Sequence, residues 1–157
     1  MSAKKEQLKK SESKTRILIV DDHPVVRQGL IQLINHEPDL VVSAEAENAD
    51  QALDALKKVS VDIAIVDISL NGTNGIQLTE KIKSKYPGLP VLILTIHDEA
   101  LYAKRALEAG AKGYVNKREA AETIITAIRL VLSGKQYISE KRVGDVLKAL
   151  RTNGSHC

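Results

Sequence analysis

The chain has 157 residues, of which 43% are hydrophobic and 27% charged, and a formal net charge of +3. That is the balance of a soluble globular chain, long enough to bury one proper core. No stretch approaches the roughly 20 apolar residues of a membrane span; the longest candidate, "IITAIRLVL", is cut by Arg129. The polar start "MSAKKEQLKKSESK" has no secretory signal pattern. The single cysteine, Cys157, excludes an intramolecular disulfide and a cysteine-rich metal site, so a reducing, cytoplasmic setting is expected.

Charge is unevenly spread. Residues 1–16 carry six Lys/Arg against two Asp/Glu, residues 17–131 carry 12 against 16, and residues 132–157 carry five against two. The acidic body argues against a nucleic-acid-binding face, which is basic. Residues 1–14 are expected to form a disordered basic tail, with a weak nucleic-acid tether as the second reading.

Taken in chain order, short β-branched apolar runs alternate with helical patterns. "RILIVD" (16–21) predicts the first strand, and Val26, Leu30, Leu33 and Ile34 mark a helix over 25–35. "LVVSAE" (40–45) is a more polar second strand, followed by a helix that Asn48 can cap and that carries Ala52, Leu53, Leu56 and Val59. "DIAIVD" (62–67) is the third strand; a helix over 76–86 follows, stopped by Pro87. "PVLILT" (90–95) is the fourth strand, and the helix over 99–109 ends at Gly110, a residue suited to a left-handed cap. "GYVN" (113–116) is the fifth strand, and a last helix spans 118–133.

Five strands alternating with five helices predict an α/β fold, a doubly wound (βα)5 parallel sheet with helices on both faces. Strands one, three and four are apolar throughout and belong at the centre; strands two and five are the edge candidates. The order 2-1-3-4-5 satisfies this, and right-handed crossovers then bring all strand C-termini to one end.

That end collects the polar residues. Strand one runs into Asp21 and Asp22, strand three ends in Asp67, strand four ends in Thr95 and strand five leads to Lys117. Two like charges 4 Å apart repel by about 4 kcal/mol at an effective dielectric of 20. A divalent cation offsets this, and a small set of oxygen ligands favours Mg²⁺. Carboxylates, a hydroxyl and an amine around Mg²⁺ are the equipment of phosphoryl transfer. Asp67 is the best candidate nucleophile: it stands alone at its strand end, before the Gly- and Asn-rich loop "ISLNGTNG". Against this, each residue alone has a plainer reading; Asp22, for one, can cap the helix after Pro24.

The motifs "ILIVDDHP", "IAIVDISLNGTNG", "VLILT" and "ALEAGAKGYVNK" resemble the receiver domain of bacterial two-component response regulators, over about residues 15–133. "DDHPVVRQGL" and "AIRLVLSGKQYIS" resemble the NarL/FixJ-type subfamily with a LuxR-type helix-turn-helix output. The resemblance implies a flavodoxin-like fold and a phosphoacceptor rather than an enzyme, limited to self-phosphorylation from small donors and self-dephosphorylation. It implies that Asp67 accepts a phosphoryl group from a histidine kinase. Asp22, Asp67 and the backbone carbonyl of Ser69 would ligate Mg²⁺, with Asp21 orienting a metal-bound water. Lys117 would pair with the phosphoryl oxygens. Thr95 would turn inward, Tyr114 would change rotamer with it, and the surface of helix four, strand five and helix five would switch. Tyr114 alone would otherwise read as an edge-strand aromatic packed on a helix.

Several positions depart from the family pattern. Arg118 follows Lys117 where many relatives have proline, which removes the reason for a cis peptide there. Ile96 follows Thr95 where a small residue is commoner, and is expected to shield an acyl phosphate from water and slow self-dephosphorylation. Asn71 replaces a frequent loop proline. His23 is expected to be a surface or capping residue.

Only 24 residues follow Ser133, fewer than the roughly 60 of a helix-turn-helix domain. Two readings stay open: a receiver fragment whose DNA-binding output domain is missing from this chain, or a stand-alone receiver that acts through protein–protein interaction. Val143, Val146, Leu147 and Leu150 form an apolar stripe on an expected C-terminal helix within the 134–157 linker, which Ser139 can cap. This helix suits the linker, a contact in a homodimer, or packing back on the domain.

Other functions fit less well. A haloacid-dehalogenase-type, Mg²⁺-dependent phosphohydrolase resembles a D-x-D pattern, but Ser69 stands two residues after Asp67. A flavodoxin-like cofactor binder would place phosphate where Asp21 and Asp22 repel it. An inert interaction module does not account for the complete five-residue set.

Overall fold

The computed structural model describes residues 14–70, 73–96 and 100–138. The elements run β1 (Thr15–Val20), α1 (Pro24–Asn35), β2 (Leu40–Ala46), α2 (Ala49–Lys58), β3 (Ile63–Asp67), β4 (Ser69–Leu70), β5 (Thr73–Asn74), α3 (Gly75–Lys85), β6 (Val91–Thr95), α4 (Ala100–Glu108), β7 (Gly113–Asn116), α5 (Ala120–Leu132) and β8 (Tyr137–Ile138). The basic N-terminal run up to residue 13, Asn71 and the expected C-terminal helix lie outside the described residues.

The main sheet is parallel, in the order β2-β1-β3-β6-β7-β8. Its first five strands are the predicted order. β8 is an addition: two residues pair with Gly113 and Tyr114, so β7 is not the edge. Gly113 makes this possible, because a Cβ there would stand 3.0 Å from the Tyr137 carbonyl oxygen. A two-residue element carries no periodicity to read. The loop after β3 likewise closes as a small antiparallel hairpin, β4 on β5.

Alternation along the strands builds two cores. Ile17, Ile19, Ile63, Ile65, Leu92, Leu94 and Val115 face α1 and α5, meeting Leu30, Ile34, Ile124 and Ile128. Leu18, Val20, Ala64, Val66, Val91, Ile93 and Tyr114 face α2, α3 and α4, meeting Ala52, Leu78, Ile82, Ala103 and Ala106. Each large aliphatic buried in this way contributes about 1.5–3 kcal/mol of transfer free energy. The central strands are apolar on both faces because both faces are covered.

Helix ends follow local chemistry. Asn48 and Asn74 accept from the backbone N–H groups of Gln51 and Gln77 at 2.9 and 2.8 Å, so both are side-chain N-caps. Gly110 has φ 106°, the left-handed conformation expected after α4. Asp22 does not cap α1: the N-cap position belongs to His23, whose side chain makes no capping bond, and Pro24 begins the helix.

Candidate functional site

Register brings the strand ends level. Val20 pairs with Val66, Asp67 with Leu94, and Thr95 with Asn116. Each strand then hands its next polar residue to the same edge. The Asp21 N–H bonds the Ala46 carbonyl at 3.0 Å and the Lys117 N–H bonds the Thr95 carbonyl at 2.8 Å, which holds both residues at the rim of the sheet.

The side chains converge there. Lys117 Nζ lies 2.7 Å from Asp67 Oδ2 and 3.1 Å from Asp21 Oδ2. Asp67 Oδ1 accepts from the Ser69 N–H at 3.1 Å. His23 Nδ1 lies 3.1 Å from both Asp21 Oδ1 and Asp22 Oδ1, and 3.2 Å from Lys117 Nζ. Asp21 and Asp67 are buried, with 0% and 1% of their surface exposed. Burial pushes the Asp67 carboxyl above its ordinary value; the Lys117 hydrogen bond opposes this and the neighbouring Asp21 charge adds to it.

The donor set fits a divalent cation. Asp21 Oδ2 and Asp22 Oδ1 are buried without a hydrogen-bond partner, although Lys117 Nζ and His23 Nδ1 stand 3.1 Å from them as charged or imidazole neighbours. Ligand atoms of Asp21, Asp22, His23 and Asp67 all fall within 4.8 Å of one another. Three carboxylates and one ammonium leave two uncompensated negative charges, which one divalent ion balances. Oxygen donors of this kind suit Mg²⁺.

Of the remaining sequence-derived residues, Thr95 is fully buried at the end of β6, and Tyr114 is buried in the core against α2–α4. Ser69 is exposed in the β4–β5 hairpin. Ser69 lines a cleft of about 280 Å³ together with His23, Val26, Asp67, Ile96, Lys117 and Arg118. Ile96 is exposed at this mouth. The described residues contain no cis peptide, so Lys117–Arg118 is trans.

Three functional contacts escape a reading by strand ends. His23 is a surface residue at the N-cap position, as expected, yet its ring nitrogen turns into the acid cluster. Arg27, buried on α1, donates to the Asp21 carbonyl at 2.6 Å and to Glu45 at 3.0 Å, tying the end of β1 to β2. The signal was its place at i−3 and i−7 from Leu30 and Ile34, on the buried stripe. Gly75 abuts the Asp67 backbone: a Cβ would overlap the Asp67 carbonyl and come within 2.8 Å of Ile68 Cα. The loop glycine thus supports the Asp67 backbone.

Residues 17–129 match the family described as the response regulator receiver domain. The chain belongs to that family. This receiver domain is 33% identical over 141 residues to the transcriptional regulatory protein DegU of Brevibacillus brevis, covering 90% of this chain and 60% of DegU. The chain therefore spans about 60% of the length of that relative. A two-component response regulator of the LuxR family from Aurantimonas superposes with a TM-score of 0.82 at 35% identity, covering 87% of this receiver chain and 98% of the other. The structure of two RcsB dimers bound to two parallel DNAs gives 0.77 at 25% identity, covering 86% of this chain and 68% of that one. Among the described residues no helix is long and apolar enough to cross a membrane.

Proposed function

We propose that this receiver domain is a phosphorylatable switch with Asp67 as the acceptor. The observation that carries the reading is the 2.7 Å Lys117–Asp67 pair inside a cluster that keeps two buried carboxylate oxygens without hydrogen bonds. An Asp67 oxygen forms the new P–O bond while the P–N bond of a kinase phosphohistidine breaks, its electron pair leaving with the imidazole nitrogen. Lys117 pairs with the phosphoryl oxygens as they approach. Asp22, Asp67 and the Ser69 carbonyl would hold the cation, and Asp21 would orient water beside it. Mg²⁺, when bound, supplies charge neutralisation at the phosphoryl oxygens. Thr95 then hydrogen-bonds the phosphoryl group, and Tyr114 with α4, β7 and α5 forms the responding surface.

The partners proposed are a histidine kinase and, through a DNA-binding output domain, a promoter. The similarity to the transcriptional regulatory protein DegU and to RcsB, whose dimers bind DNA, supports the second. A stand-alone receiver acting through protein contacts is the alternative.

The test is intact mass after incubation with a small phosphodonor and Mg²⁺. The wild type gains one phosphoryl group, and Asp67→Asn gains none. A folded wild type that gains nothing, or an Asp67→Asn variant labelled equally, would overturn the assignment.

A further inference from the structure

We propose that the end of the sheet opposite Asp67 is a docking surface for the phosphate backbone of duplex DNA. The strands begin there: Thr15 starts β1, and Pro90 and Lys112 stand just before β6 and β7. A cleft of about 660 Å³ opens at this end, lined by Lys83, Lys112, Thr15, Asp62, Gly88 and Gly134 among others. Lys14 and Lys135 are the chain neighbours of Thr15 and Gly134. Leu89, which follows Gly88, lines a second cleft of about 370 Å³ with Lys57 and Lys58.

The charges at this end do not cancel. Asp62 pairs with Arg16, Asp54 with Lys58, and Glu37 and Asp39 with Arg129. Among the described residues, Lys14, Lys57, Lys83, Lys112 and Lys135 pair with no carboxylate. The groove between α3 and α4 carries Glu80 and Glu108 and bounds the surface on that side. Lys57 and Lys83 sit in the last turns of α2 and α3, where cations offset the helix dipole. Lys14, Lys112 and Lys135 lie outside helices, so the dipole does not account for them. Lys83 is held in place: its Nζ donates to the Pro87 and Leu89 carbonyls at 2.9 Å each, and an ammonium has a third donor for a ligand oxygen. Burial, and then the Lys112 charge, keep the Lys83 amine below its ordinary value; a phosphate between the two would relieve their repulsion.

The negative balance of residues 17–131 opposes such a surface only if charge is spread evenly. Asp21, Asp22 and Asp67 gather at the other edge, and the run holding Lys4, Lys5, Lys9 and Lys10 joins the fold at Lys14, beside the cleft. An anionic bilayer is the competing partner. It is a plane, whereas these lysines flank two concave clefts that suit a ridge of phosphates. Val59 and Leu132, each partly exposed there, offer little apolar area for insertion. The choice of DNA rests on the promoter proposed above; the surface itself does not.

The experiment uses the full chain and a fluorescent DNA duplex of about 20 base pairs, read by anisotropy across a salt series. Wild type should bind at low salt, with affinity that falls as salt rises. Lys112→Glu combined with Lys135→Glu should weaken binding about tenfold and reduce the salt slope by about two. Lys57→Glu repeats the test at the second cleft and should weaken binding severalfold. A variant with Lys4, Lys5, Lys9 and Lys10 changed to Gln reads the N-terminal run by itself. No wild-type binding, or affinity unchanged in both the Lys112/Lys135 and the Lys57 variants, overturns the proposal. So does tighter binding to anionic phospholipid vesicles, or to an RNA duplex of the same length. Phosphoryl uptake should match wild type in the lysine variants, so a failure of the Asp67 assignment is read separately by intact mass.

Discussion

Ile96 holds a branched apolar side chain, 53% exposed, over the cleft that contains Asp67. An acyl phosphate on Asp67, as proposed, would lie in this cleft, where the Ile96 side chain can limit the approach of water. Ile96→Ala should shorten the phosphate lifetime severalfold, followed by decay of the phosphorylated mass; an unchanged lifetime sinks the shielding idea. Gly75 packs against the backbone of Asp67. With a Cβ overlapping the Asp67 carbonyl, Gly75→Ala forces the backbone of β3 or α3 to move. The expected cost is on the order of 2 kcal/mol, as for other overpacked sites, measured by urea unfolding. Phosphoryl uptake should fall as well. The Gly- and Asn-rich loop was legible in "ISLNGTNG", but not which glycine meets Asp67, because that contact closes only when α3 docks.

At the scale of elements, helix ends and strand ends behave differently. Asn48, Asn74 and Gly110 act within their own turns, so their roles follow from local sequence. Arg27 acts across elements, bridging α1, the end of β1 and Glu45 of β2. Arg27→Met keeps the apolar stem but leaves the Asp21 carbonyl and Glu45 without that donor. Charge-assisted bonds of this kind contribute about 2 kcal/mol. We expect a lower urea midpoint of that size with unchanged slope, and weaker cation binding because Asp21 loses its anchor. Wild-type stability in the variant would show that the bridge is dispensable.

Over the whole molecule, α5 is fastened to the loop before β2. Arg129 donates to Glu37 at 2.9 Å and to both oxygens of Asp39. The hydrogen bond from Arg129 holds the Asp39 carboxyl below its ordinary value. A carboxylate lowered on folding stabilises the protein above its unfolded value near 3.8, and that contribution is lost as pH falls through the folded value. The clasp is exposed, so salt screens it and its effect is small. Arg129→Ala should lower Tm slightly at neutral pH in low salt and leave it unchanged in acid, with thermal melts at both pH values as the check. An equal drop at both would place the effect in packing of the arginine stem instead.

The sequence by itself determined the alternation of strands and helices, the central position of three apolar strands and the delivery of Asp21, Asp22, Asp67, Thr95 and Lys117 to one edge. Those follow from periodicities of 2 and 3.6 and from the hand of the crossovers, which are local or generic constraints. Only the tertiary structure decided that β8 extends the sheet, that Gly75 seats against Asp67, that Arg27 is drawn inward and that His23 turns into the acids. Each of these is a contact between segments far apart in the chain or a side-chain rotamer chosen by its neighbours. Hydrophobic patterning says which face is buried, and is silent on which polar atoms meet there.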